Sequence, residues 1–126
     1  QVNWHDLIGQ TITEISAPTD DAEILIRTAH GGIRAFHEAD CCESVDLVRV
    51  DGDAETLIGG VVTIAEDDTG CVPPDWAGKD YEGESVTWTK LTLGTASGSV
   101  HFWVLGASNG YYSETLEFKS IDEGSK

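Results

Sequence analysis

Positive charge is what this chain has least of. Seven Lys and Arg stand against 23 Asp and Glu, a formal net charge of −16 over 126 residues. Phosphate contacts drive nucleic-acid binding, so this balance excludes a nucleic-acid partner and disfavours an anionic membrane. Long apolar runs are missing as well: none approaches the roughly 18 residues that cross a bilayer. No signal peptide is visible, although the chain opens at Gln1 and an upstream segment would not be seen. The expectation is a soluble, intracellular protein.

Cysteine is also scarce. There are three, an odd count, and Cys41 and Cys42 are neighbours. A disulfide scaffold needs an even set of spaced cysteines. A bond between adjacent residues would close a strained ring, because neighbouring Cα atoms sit about 3.8 Å apart and a relaxed disulfide wants about 5.5–6 Å. Reduced thiols in a cytoplasm are the simpler account. No C-x-x-C, H-E-x-x-H or calcium-loop spacing occurs, and no motif names a reaction. The sequence gives no ground for an enzyme and none for a cofactor.

What the chain does hold is enough for a modest core: 40% apolar residues, with four Trp, three Tyr and three Phe. The carboxylates fall in scattered groups (Asp20-Asp21, Glu66-Asp67-Asp68, Asp80 to Glu84, Asp122-Glu123). Scatter suits solvation in an acidic or salt-rich proteome better than one surface aimed at a basic partner, or a mimic of nucleic-acid charge.

Trp4-His5-Asp6-Leu7-Ile8-Gly9 predicts a short helical turn stopped by glycine, with Trp4, Leu7 and Ile8 on one side. Thr11 to Ile15 alternates with the period of a strand. Glu23 to Thr28 and Ile33 to His37 form a hairpin around Ala29-His30-Gly31-Gly32, whose glycines can take positive φ. Ser44 to Val50 reads as a strand, Asp51-Gly52-Asp53 as a solvated turn, and Ala54 to Ile58 as one helical turn. Leu7-Ile8-Gly9-Gln10-Thr11-Ile12-Thr13 then returns, 50 residues on, as Leu57-Ile58-Gly59-Gly60-Val61-Val62-Thr63. That similarity raises an internal duplication, with two related β units. Val61 to Ala65 predicts a strand and Asp67 to Gly83 a long loop, a length that suits function or disorder. Ser85 to Leu93 and Ser99 to Leu105 make a second hairpin turned at Gly94 to Gly98. Ser108-Asn109-Gly110 predicts a tight turn into a strand from Tyr111 to Phe118. The fold class is mainly β: a single antiparallel domain of about seven strands over residues 1–120, a sandwich or half-open barrel of hairpins. Its halves would be 1–50 and 51–120, followed by a frayed tail at 121–126.

The densest chemistry lies in His37-Glu38-Ala39-Asp40-Cys41-Cys42-Glu43. Imidazole and thiolate suit zinc, and His37, Cys41, Cys42 and His101, with His30 or Cys71 in reserve, could supply ligands. Adjacent thiols on an extended segment face opposite ways, which works against both binding one metal. A nucleophilic thiol needs a lowered pKa, and Asp40 and Glu43 push the other way. The plainest reading is a tight corner: Asp40 caps a turn, Glu43 reaches back, and the thiols fill the core. Trp76, Tyr81, Trp88, Trp103, Tyr111 and Tyr112 read as packing, with Tyr111-Tyr112 beside the Asn109-Gly110 turn as the pair suited to recognition.

Taken together, Leu7-Ile8-Gly9-x-Thr11-Ile12, His37-x-x-Asp40-Cys41-Cys42-Glu43-Ser44-Val45, Gly52-Asp53 before Leu57-Ile58-Gly59, Ala65-Glu66, Thr87-Trp88-Thr89 and Ser108-Asn109-Gly110-Tyr111-Tyr112-Ser113-Glu114 resemble an uncharacterised family of small proteins. Its members are encoded largely by tailed phages, many of them infecting actinobacteria. The resemblance covers nearly the whole chain, least well around Cys71 to Lys79, and implies a setting rather than a mechanism. It carries no catalytic residues over. Small acidic phage proteins outside the virion often disable a host factor or capture a small ligand.

The resulting expectation is a non-enzymatic acidic binding protein in the cytoplasm of an infected bacterial host, acting on a host protein. Its binding residues would be His37, Asp40, Cys41, Cys42, Glu43, Trp76, Asn109, Tyr111 and Tyr112, drawn from the Asp40 to Glu43 corner, the Pro73 to Lys79 loop and the Asn109 to Tyr112 turn. The rival expectations are a small-ligand or zinc protein built on the His37/Cys41/Cys42 corner, and a virion component.

Overall fold

The computed structural model describes residues 2–17, 23–37, 44–69, 85–108 and 116–121. Eight strands are described, in two antiparallel sheets of four, with no closed barrel and two 3-10 turns as the helical content. The first turn, Trp4–Leu7, leads to β1 (Ile12–Ser16), β2 (Glu23–Thr28), β3 (Gly31–Phe36) and β4 (Ser44–Asp51). The second, Ala54–Leu57, leads to β5 (Ile64–Thr69), β6 (Ser85–Thr95), β7 (Gly98–Ser108) and β8 (Glu117–Ser120).

One sheet has the order β1-β2-β3-β8 and the other β4-β7-β6-β5. Each run of four therefore behaves alike. Its first three strands form a meander, and its fourth crosses to the edge of the opposite sheet. The exchange of β4 and β8 ties the sheets together in both directions.

Alternation places the core. On β2 and β3, Ile24 stands opposite Ala35 and Ile26 opposite Ile33. On β6 and β7, Leu91 stands opposite Phe102 and Leu93 opposite Val100. All eight are at most 2% exposed, and with Val45, Leu47 and Val104 they form one apolar cluster between the sheets. Trp4 lies inside it with no exposed surface. Its ring meets Phe102 edge-on at 6.3 Å and Phe118 at 6.1 Å, and its indole N–H donates to the Thr92 carbonyl at 2.9 Å.

Several sequence expectations shift. Both hairpins turn through two residues, with Thr28 paired to Gly31 and Thr95 to Gly98, so the predicted loop glycines belong to strand ends. Gly31 and Gly32 do take positive φ, 122° and 118°. The strand expected over Val61 to Ala65 runs instead over Ile64–Thr69, into the predicted loop. Asp67 and Asp68 read as loop because they are polar, yet pairing with β6 at a sheet edge accepts charged side chains, which also guard that edge. Trp4 and Leu7 share the buried side of the first turn, but Ile8, expected beside them, is 51% exposed, because the chain leaves the 3-10 turn at Ile8 with φ −59° and ψ 130°.

Candidate functional site

Most of the sequence-predicted site falls outside the described residues: Asp40, Cys41, Cys42, Glu43, Trp76, Asn109, Tyr111 and Tyr112, with Cys71 and Tyr81. Two members are described. His37, half-buried, follows β3 at the end of the first sheet. His101 lies on β7 of the second, its Nδ1 within 2.9 Å of the Thr92 hydroxyl and its backbone opposite Asp51. Among the described residues no three His, Cys, Asp or Glu side chains are grouped to hold a metal ion.

The second sheet gathers a polar and aromatic cluster on its outer face, because β4, β6 and β7 present Asp51, Thr92 and His101 in one row and Arg49, Lys90 and Trp103 in the next. Arg49 Nε donates to Asp51 Oδ1 at 2.6 Å, and Trp103 Nε1 donates to Asp51 Oδ2 at 2.9 Å. The Arg49 guanidinium bonded to it holds the Asp51 carboxyl below the usual carboxylate range; partial burial opposes this, while the Trp103 bond and the nearby His101 support it. Asp51 is thus a fixed acceptor in a sheet rather than the solvated turn residue the sequence suggested. With both oxygens occupied and its basicity lowered, it is poorly suited to proton transfer. Trp103 and Trp88, 5% and 7% exposed, meet edge-to-face at 6.3 Å, and the Lys90 ammonium lies 5.6 Å from the Trp103 ring centre. These two indoles pack, as expected of the aromatic set.

A second feature was legible in part. The repeated Leu-Ile-Gly segments meet as a clasp. Gly9 N–H donates to the Val62 carbonyl and Gly59 N–H to the Ile12 carbonyl, both at 2.8 Å. Val62 N–H donates to Gln10 at 2.9 Å, and Ile12 N–H to Gly60 at 3.0 Å. Each bond matches its partner under a shift of 50 residues, and the Thr11–Val61 bridge lies at the local twofold axis. Gly9 and Gly59 have φ of 92° and 90°, a region glycine enters without the cost other residues meet. The turns pack Leu7, Ile12, Leu57 and Val62 inward, each at most 1% exposed, and leave Ile8 at 51%, Ile58 at 44% and Val61 at 49%. Ile8 and Ile58 were missed because each follows an inward leucine in an apolar run, which reads as core, and Val61 because it opens the next apolar run; the repeat itself was the available signal.

The surface charge follows from where the cations go. Arg27 pairs with Glu14 at 3.3 Å, Arg34 with Glu23, and Arg49 with Asp51. The Lys90 and Lys119 ammonium groups sit 5.6 and 5.7 Å from the Trp103 and Phe36 ring centres. Every Lys and Arg among the described residues is therefore engaged within the fold, which leaves an excess of carboxylates facing solvent.

Comparison with known proteins gives one positive result. The model of a family described as a domain of unknown function, DUF7448, matches residues 5–118. No curated protein and no solved structure matches the chain.

Proposed function

Because the chain belongs to the DUF7448 family, whose function is unknown, we propose on physical grounds that it is a non-enzymatic binding module for a basic protein. The observation that carries this reading is the internal engagement of the described cations while net charge stands at −16. Such a surface attracts a cationic partner at long range and repels other acidic proteins. A mainly β frame with both sheets tied by exchanged strands supplies a rigid support for it.

The setting is part of the same proposal: a phage-encoded protein that occupies a host factor in the cytoplasm of an infected bacterium. The Asp40 to Glu43 corner, the Pro73 to Lys79 loop and the Asn109 to Tyr112 turn belong to the proposed surface on sequence grounds. Two related halves, 1–50 and 51–120, are proposed as the origin of the frame, supported by the shared turn and the repeated strand order. The test is affinity capture from actinobacterial lysate, followed by reconstitution with the purified captured protein. The expected result is one basic host protein that binds stoichiometrically and is released by salt. An acidic partner, or none, would overturn the reading.

A further inference from the structure

We infer that the clasp is a docking surface, and that its occupant is a cationic amphipathic segment of a partner protein. The inference rests on the proposed function and gives it a place on the molecule. Five large apolar side chains are notably exposed among the described residues: Ile8, Val48, Ile58, Val61 and Ile64. Four of the five sit on the two turns or on the segment leaving the second one. Chance scatter would spread them over both sheets.

Their exposure is built in. Leu7, Ile12, Leu57 and Val62 anchor the turns from inside, and the four reciprocal backbone bonds fix what faces out. Isoleucine and valine have few rotamers to lose, so little entropy is spent when a partner covers them.

The charge around them selects the occupant. Asp6, Asp53, Glu55 and Glu66 are exposed on these segments and on the strand the second one feeds, while Glu14 on β1, also exposed, is offset by Arg27. Asp6 and Asp53 also hold the turns, Asp6 accepting from the Asn3 N–H at 3.0 Å and Asp53 from the Glu55 N–H at 3.1 Å. No Lys or Arg occurs in residues 1–26 or 50–78. A second copy would bring the same carboxylates and another −16 charges against this face. A segment with two or more apolar side chains flanked by Lys or Arg meets both the apolar centre and the acidic rim. The two equivalent isoleucines, one per turn, would each take one apolar side chain.

The probe is a short synthetic peptide of Leu and Lys patterned as an amphipathic helix, with oligolysine of equal charge as its control. Binding is followed by fluorescence anisotropy at low salt and mapped by backbone amide shifts. The expected result is tighter binding of the Leu/Lys peptide, with shifts centred on residues 8–12 and 58–62. Ile8→Ser combined with Ile58→Ser should weaken it roughly ten-fold or more, about 1.4 kcal/mol, and leave oligolysine unaffected. Val48→Ser, exposed elsewhere, should change neither. Should the double variant lose its fold, Asp6→Asn with Glu55→Gln takes its place and should weaken both probes.

Binding that maps elsewhere, or that ignores these variants, overturns the clasp assignment and leaves the acidic binding module standing. If neither probe binds, the proposed function itself falls. Self-association in sedimentation that Ile8→Ser/Ile58→Ser abolishes would make a second copy the occupant and overturn the inference.

Discussion

Asp51 shows how far one side chain can depart from what its neighbours in sequence suggest. Asp51-Gly52-Asp53 has the composition of a solvated turn, and Asp53 does cap the second 3-10 turn through Glu55 N–H. Asp51 instead closes a cross-strand set with Arg49 and Trp103, because it ends β4 opposite His101. Asp51→Asn should lower stability at pH 7 by about 1 kcal/mol, the usual net worth of such hydrogen bonds. The pH dependence has a definite sign. Its carboxyl titrates lower in the folded protein than in the unfolded chain, so its contribution is complete above the unfolded value of about 4 and is lost as pH falls through the folded one. Urea unfolding of wild type and variant should therefore differ at pH 7 and converge as the pH is lowered below about 4, the unfolded value. A gap that stays constant with pH would assign the cost to packing. Trp4→Phe tests the core at the same scale. It removes a buried N–H bonded to the Thr92 carbonyl and leaves a gap beside Phe102, for an expected loss of about 1–3 kcal/mol in urea unfolding.

At the level of elements, the sequence carried the fold class and most strands, since period-two alternation survives wherever one face of a strand meets the core. The hairpin of β2 and β3 was legible from Glu23 to Phe36, with only the turn length misread. Pattern failed where tertiary context overrides composition. β5 is a charged edge strand that looks like loop, and Ile8 faces out of an apolar run because the chain leaves its turn there. The clasp lies between these cases. The Leu-Ile-Gly repeat was visible, but pairing between copies that are 50 residues apart is a long-range contact that no local pattern reveals. The chemistry-dense corner from Asp40 to Glu43 was also plain in the sequence, and it lies outside the described residues. The clasp makes its own prediction. An added Cβ at Gly9 or Gly59 meets nothing within 4 Å, so alanine should suffer only from the positive φ. Gly9→Ala and Gly59→Ala should each cost about 1–3 kcal/mol, and the two losses should be alike because the turns are equivalent. Thermal or urea unfolding measures both. One neutral variant beside one costly variant would show that the two turns are unequal in solution.

Over the whole molecule, charge opposes what packing secures. Ion pairs and ring contacts absorb the described cations, so most carboxylates have no opposite charge to offset them, and the folded chain concentrates repulsion that unfolding would relieve. Salt should therefore stabilise the protein. Between 0.01 and 0.15 M ionic strength the screening length falls from about 30 Å to about 8 Å, shorter than the span of a small sandwich, so repulsion between distant carboxylates is lost while contact pairs such as Arg49–Asp51 persist. The urea midpoint should rise over this range, whereas the affinity for a cationic partner should fall, since the same screening weakens attraction to it. These opposite responses separate the acidic surface from the core. A midpoint that falls with salt would mean that local ion pairs outweigh the global repulsion. The excess charge would then be a poor guide to the partner as well.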